Sequence, residues 1–126
     1  EAQEEIWQAT QKVLNEPAFE RLFGPGSRAE VPLVGEVRRA GAPLYLSGQI
    51  DRLLVTQDEV IIVDFKTNRP PPSRVEDVNN AYLGQMAAYH VLLTNLYPDR
   101  PIRAGLLWTD GPRLMEIPAE MLAKFM

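Results

Sequence analysis

Ile61-Ile62-Val63-Asp64-Phe65-Lys66-Thr67 is a run of branched, apolar β-formers that ends by setting an acid and a lysine two positions apart. Just upstream, Gly48-Gln49-Ile50-Asp51-Arg52 places a second acid inside another apolar run. Side chains alternate along a strand, so Asp64 and Lys66 share a face, roughly 7 Å apart, and Phe65 takes the other. If Gln57-Asp58 is a two-residue turn, antiparallel pairing sets Thr56 opposite Glu59 and, further back, Asp51 opposite Asp64. A turn centred one residue along sets Asp51 opposite Lys66, still on that face. A half-step sets it opposite Phe65 and dissolves the cluster. Register therefore decides whether these two strands carry a site.

Working outward, the chain reads as helix at about 1–15, with Ile6, Ala9, Thr10, Val13 and Leu14 at helical spacing, then a helical turn at 17–23 and a Gly24-Pro25-Gly26 breaker. Strands at about 28–38, 44–56 and 59–67 make a meander, the first two joined through Ala40-Gly41-Ala42-Pro43. Pro70, Pro71 and Pro72 fix φ and cannot join a ladder, so the exit from the third strand is extended. Ser73-Arg74-Val75-Glu76 has the form of a capping box and predicts a helix from about Arg74 to Leu96. Gln85 and Tyr89 share one face of that helix, with Tyr82 a turn earlier; Tyr82 reads as core packing and His90 as structural or exposed. Ile102–Thr109 and Arg113–Ile117 read as a hairpin about Asp110-Gly111, and Pro118 opens a last helix towards Met126. The fold class is α/β: one domain with a mixed sheet, a three-strand meander plus further strands, flanked by helices.

Acids within apolar strands are costly unless paired, hydrogen-bonded or bound to a metal. Two opposed carboxylates repel unless something positive lies between them, and an oxygen-only ligand set with open positions suits Mg²⁺ or Mn²⁺. The sequence has one histidine and no cysteine, so zinc-finger, iron–sulfur and Cys or Ser-His nucleophile schemes lack their parts. A lysine beside such a metal can stabilise a pentacoordinate phosphate or orient the attacking water. The chemistry implied is metal-assisted phosphodiester hydrolysis. Asp-x-Lys alone is most often an edge pair or a solvated face; the second acid and the Gln85–Tyr89 helix face make this set far rarer than its parts.

In this order and at these intervals, Gly48-x-x-Asp51-Arg52, Val63-Asp64-Phe65-Lys66-Thr67 and Gln85-x-x-x-Tyr89 resemble the PD-(D/E)xK nuclease superfamily, in particular its RecB-like branch and the C-terminal nuclease domain of AddA-type helicase–nucleases. The resemblance spans about residues 28–110. It implies a restriction-endonuclease-like core, with Asp51 and Asp64 binding Mg²⁺ or Mn²⁺, the Phe65 carbonyl adding a ligand, and Lys66 as the catalytic lysine. Gln85 and Tyr89 would assist at the DNA backbone, with Arg52 and Thr67 beside them. Glu30, in Glu30-Val31-Pro32-Leu33, resembles the family's Glu-x-Pro-aromatic segment with leucine in the aromatic place; a catalytic contribution and a strand-end surface acid are equally open to it. The family also carries a histidine on a helix ahead of the first strand, and residues 1–30 hold none. Either that helix precedes Glu1 or the residue has been lost.

The resemblance further implies a bacterial, cytoplasmic role in double-strand-break processing. DNA would be delivered as single strands by a helicase, with an AddB-type second subunit as partner. An opening in mid-helix without methionine is how an excised C-terminal fragment looks, with 1–27 a helical lead-in and 28–117 the catalytic core. The chain has no Gly-x-x-x-x-Gly-Lys-Ser/Thr loop, so any use of ATP belongs to an absent helicase portion. The lack of cysteine speaks against the iron–sulfur variety of this nuclease. No run is long and apolar enough to span a membrane, so none is expected as a partner. A formal net charge of −4 predicts weak DNA binding by the domain alone. Arg52, Arg69 and Arg74 are candidates to line a path for DNA, and Arg38 and Arg39 read as ordinary surface. The rival reading is a nuclease-like module that binds DNA ends or docks a subunit without cleaving.

Overall fold

The computed structural model describes Leu22 and residues 26–68, 70–109 and 113–125. The expected helix at 1–15, most of the turn at 17–23, Arg69 and the Asp110-Gly111 turn lie outside these. The described strands are β1 (Ser27–Arg39), β2 (Ala42–Val55), β3 (Val60–Lys66), β4 (Ile102–Trp108) and β5 (Arg113–Ile117). Helix α1 (Asn80–Leu96) connects β3 to β4, and the short α2 (Ala119–Ala123) follows β5. The sheet runs in chain order, β1-β2-β3-β4-β5, antiparallel except for the parallel β3–β4 pair. A parallel pair needs a crossover connection, which α1 supplies.

The central strand is buried on both faces, as its unbroken Val60-Ile61-Ile62-Val63 run requires. Val60 and Ile62 face α1 with Leu106, Trp108, Met86 and Leu93; Ile61 and Val63 face the other way with Leu22, Leu54 and Leu107. The β2–β3 hairpin has the expected register, with Val55 opposite Val60 and Arg52 opposite Val63. Its turn is closed by Thr56, whose Oγ1 accepts from the amides of Asp58 and Glu59 at 3.2 and 3.0 Å. The β1–β2 turn is the two residues Ala40 and Gly41, with φ of 52° and 80°, and the carbonyl of Gly41 accepts from Arg38.

Two expectations need correction. The Ser73–Glu76 capping box does not start the helix: Val75–Asp77 is a single 3₁₀ turn, with no side-chain cap on Arg74. The chain then straightens at Val78, φ −70° and ψ 140°, whose buried side chain joins the core. Asn79 is the true N-cap, its side chain accepting from the Ala81 amide at 2.7 Å. Burial of Val78 outweighs a box that would have carried the helix past it. Arg39 is not ordinary surface either; its guanidinium donates to the Gly84 carbonyl at 2.8 Å and ties the β1–β2 arm to α1.

Candidate active site

Strands β2 and β3 pair only from Arg52–Val63 to the turn. Beyond that point β2 pairs with β1 alone and β3 with β4 alone, so the sheet forks. The fork begins at Asp51 and Asp64, which the register sets opposite one another. Each carboxylate takes a backbone amide of the facing strand: Asp64 Oδ1 accepts from the Asp51 amide at 3.2 Å, and Asp51 Oδ2 from the Phe65 amide at 2.7 Å. Side chains thus replace ladder bonds, a competition open to short acids.

The two-residue alternation of β2 slips here. Ile50 and Leu53, three apart, belong to the same core, with Asp51 between them. The β1–β2 ladder passes from Ala29–Arg52 to Val31–Ile50 and skips Asp51 and, in β1, Glu30, whose φ of 53° is left-handed and uncommon for a residue with a long side chain. That backbone reversal lets both strands change face together, so the register continues through it.

Lys66 shares the α1 face with Asp64. Its Nζ lies 4.0 Å from Asp64 Oδ2, donates to Gln85 Oε1 at 3.3 Å and sits 4.3 Å from the centre of the Tyr82 ring. Gln85 Nε2 donates in turn to the Tyr89 hydroxyl at 3.2 Å, and that hydroxyl also accepts from the Gln49 amide. Gly48 makes the approach feasible, because a Cβ there would stand 2.3 Å from Tyr89 Oη. A polar chain therefore runs from Asp64 through Lys66, Gln85 and Tyr89 to the backbone of β2.

Asp64 is 4% exposed, and burial pushes its carboxyl up to about 6, an effect the charge of Asp51 reinforces and the Asp51 amide and Lys66 oppose. Burial likewise raises the Tyr89 phenol, with the Asp64 charge adding to it. His90 is held below its usual range by burial while bonding the Ile102 backbone; it serves packing between α1 and β4.

The structure brings Asp51, Asp64, Lys66, Gln85 and Tyr89 together, and the Phe65 amide takes part through Asp51. Glu30 is exposed, and among the described residues no three His, Cys, Asp or Glu side chains form a metal-sized group. Thr67 is exposed just past β3. Arg52, opposite Val63, lies on the sheet face away from α1. Arg74 is exposed and engaged with Asp77 at 3.3 Å. Tyr82 packs against the core as expected and stands at the site as well: its ring faces Lys66 and its hydroxyl donates to Asn68 Oδ1 at 3.1 Å. Its place three residues before Gln85 was the available signal.

Each acid has spent one oxygen on a backbone amide, which leaves Asp51 Oδ1 and Asp64 Oδ2 for a cation. Two carboxylates in a half-desolvated fork fit a hard divalent ion that keeps several waters, and they do not fit zinc.

The sequence profile of the PD-(D/E)XK nuclease superfamily matches residues 1–121. Among solved structures the chain is similar to one titled "Crystal structure of SSO0001", with 12% identity, a TM-score of 0.48 and coverage of 96% of this chain. The match takes in 54% of that structure's chain, so this chain spans about half its length. No curated protein matches the chain.

Proposed function

We propose that this chain, which belongs to the PD-(D/E)XK nuclease superfamily, is a Mg²⁺- or Mn²⁺-dependent deoxyribonuclease domain that hydrolyses phosphodiester bonds. The observation that carries the reading is the pair of amide-anchored carboxylates in the β2–β3 fork, with Lys66 beside them. Asp51 and Asp64 would hold the ion, with the Phe65 carbonyl as a further ligand. A divalent ion there supplies a Lewis acid for the phosphoryl oxygen and a water made acidic. Lys66, turned inward by Gln85, presents its ammonium where a phosphate bound at the carboxylates would build up negative charge. Gln85 and Tyr89 fix that lysine and close the floor of the fork.

The finer assignment rests on the motifs. Gly48-x-x-Asp51-Arg52, Asp64-Phe65-Lys66-Thr67 and Gln85-x-x-x-Tyr89 support a RecB-like domain of an AddA-type helicase–nuclease, acting in the bacterial cytoplasm as an exonuclease on single strands at DNA breaks. An AddB-type subunit would be its partner and ATP would serve its helicase portion. The net charge of −4 agrees with a domain that borrows DNA affinity from a tethered motor.

The test is calorimetric titration of Mn²⁺ and Mg²⁺ into wild type and Asp64→Ala, with cleavage of single-stranded DNA followed in the same samples. Metal binding that disappears with Asp64 and cleavage that disappears with it are expected. A folded wild type that binds neither ion overturns the reading and leaves a docking module in its place.

A further inference from the structure

We infer that Tyr82 is a positioning residue that holds the Lys66 ammonium in the fork; the inference rests on the nuclease reading for its catalytic consequence. Lys66 carries a flexible four-carbon stem and an ammonium with three donors. One hydrogen bond of 3.3 Å to Gln85 and one acid oxygen at 4.0 Å leave that group loosely specified. The Tyr82 ring, 4.3 Å from Nζ, supplies the remaining wall. Its negative face attracts the ammonium, and the attraction is strongest where water is scarce, as around a lysine side chain only 15% exposed.

The ring is itself held at both ends. Its hydroxyl donates to Asn68 Oδ1 at 3.1 Å, and its body lies 6.3 Å, centre to centre, from the Trp108 ring at 47°. Trp108 is fully buried and pairs with Lys66 in the parallel β3–β4 register, so the strand next to the one that carries the lysine carries the support of the ring above it. Tyr82 and Gln85, three apart on α1, close on Lys66 from two directions. A shift of about 1 Å in such a group can cost around a hundredfold in rate, so the clamp bears on turnover rather than on binding.

The experiment pairs a contact measurement with kinetics on the 126-residue chain. In carbon–proton NMR without metal, the Lys66 ε-methylene is expected upfield, by the ring current, in wild type and Tyr82→Phe, and at ordinary values in Tyr82→Leu and Tyr82→Met. Thermal unfolding selects whichever of these last two is folded. In metal-dependent DNA cleavage, Tyr82→Phe should stay within about twofold of wild type, while the ringless variant loses about tenfold in kcat with KM and metal affinity unchanged. In a Lys66→Ala background the ringless change should cost nothing further. An unshifted ε-methylene in wild type, an equal loss in Tyr82→Phe, or a loss undiminished without Lys66 each overturns the proposal. A shifted ε-methylene in a wild type that cleaves nothing overturns the nuclease reading and the catalytic role together, and leaves the contact standing.

Discussion

Arg103 donates to both oxygens of Glu116, at 2.9 and 2.8 Å, and comes within 3.7 Å of Glu59. On the other face of the same sheet, Lys66 comes no closer than 4.0 Å to Asp64, with Asp51 opposite. Each cluster is one cation and two acids. They differ in where the hydrogen bonds go. Arginine's fork satisfies Glu116 directly in a setting open to water, Glu116 being 39% exposed. In the α1-face cluster the acids bond backbone amides and the lysine bonds Gln85, so charges of opposite sign are solvated by the protein more than by each other. The lesson is that a charge count does not separate structure from function. A cluster whose charges, under burial, lean on backbone and amide groups more than on each other is one prepared for an additional ion.

The sharpest way to break this comparison is to neutralise one acid in the α1-face cluster. Asp64→Asn should lower metal-dependent cleavage by at least about a thousandfold. It should nevertheless stabilise the metal-free fold near neutral pH. Asp64 titrates at about 6 in the folded chain against an ordinary 3.8, so the proton binds more tightly to the folded state. The stability this group contributes is complete below pH 3.8 and is lost as pH rises through about 6. Denaturant unfolding from pH 4 to 7 should therefore show wild type falling relative to Asp64→Asn by on the order of 2–3 kcal/mol. Saturating Mn²⁺ should return the difference in wild type only. Curves that run parallel across that range would mean Asp64 is not the strained group.

A smaller effect is expected where the chain of hydrogen bonds meets β2. Gly48→Ala sets a methyl against Tyr89 Oη, closer than Cβ atoms tolerate, and 3.1 Å from the ring, so something must shift. The loss should be about 1–3 kcal/mol by thermal or denaturant unfolding. Combining it with Tyr89→Leu should recover part of that loss. Full additivity of the two changes would show that the glycine is there for another reason.

The sequence announced the sheet better than the fork. Val60–Val63, the Gln57-Asp58 turn and Thr56 fix the β2–β3 register by hydrophobic pattern and turn chemistry, and both are local. The start of α1 departs from the capping box because that signal too is local, whereas the decision lies with Val78 entering a core assembled from distant strands. The slip of alternation at Asp51 and the left-handed Glu30 leave no periodic trace, since they arise only when two strands bend together. Tyr82 reads as apolar helix face until Lys66 is placed beneath it, and Arg39 reads as surface until its long stem is seen to reach Gly84. Residue types were legible in each case; which contact each would choose was settled in three dimensions.

The smallest expected effect tests the other half of the comparison. Arg103→Met keeps most of the stem and removes the fork that binds Glu116 and neighbours Glu59. Arg103 is 25% exposed and Glu116 39%, so Glu116 can turn to water, and Glu59, 19% exposed, sits 3.7 Å from the guanidinium rather than in a close hydrogen bond with it. Partly exposed pairs of this kind contribute up to about 1 kcal/mol, so unfolding should shift by no more than that, and less in high salt. Metal affinity and cleavage should not change, because the cluster lies across the sheet from Asp64. A loss of several kcal/mol would place Arg103 among buried, committed ion pairs, whose loss strands an uncompensated charge. The two clusters would then differ in which ion completes them and not in whether they are complete.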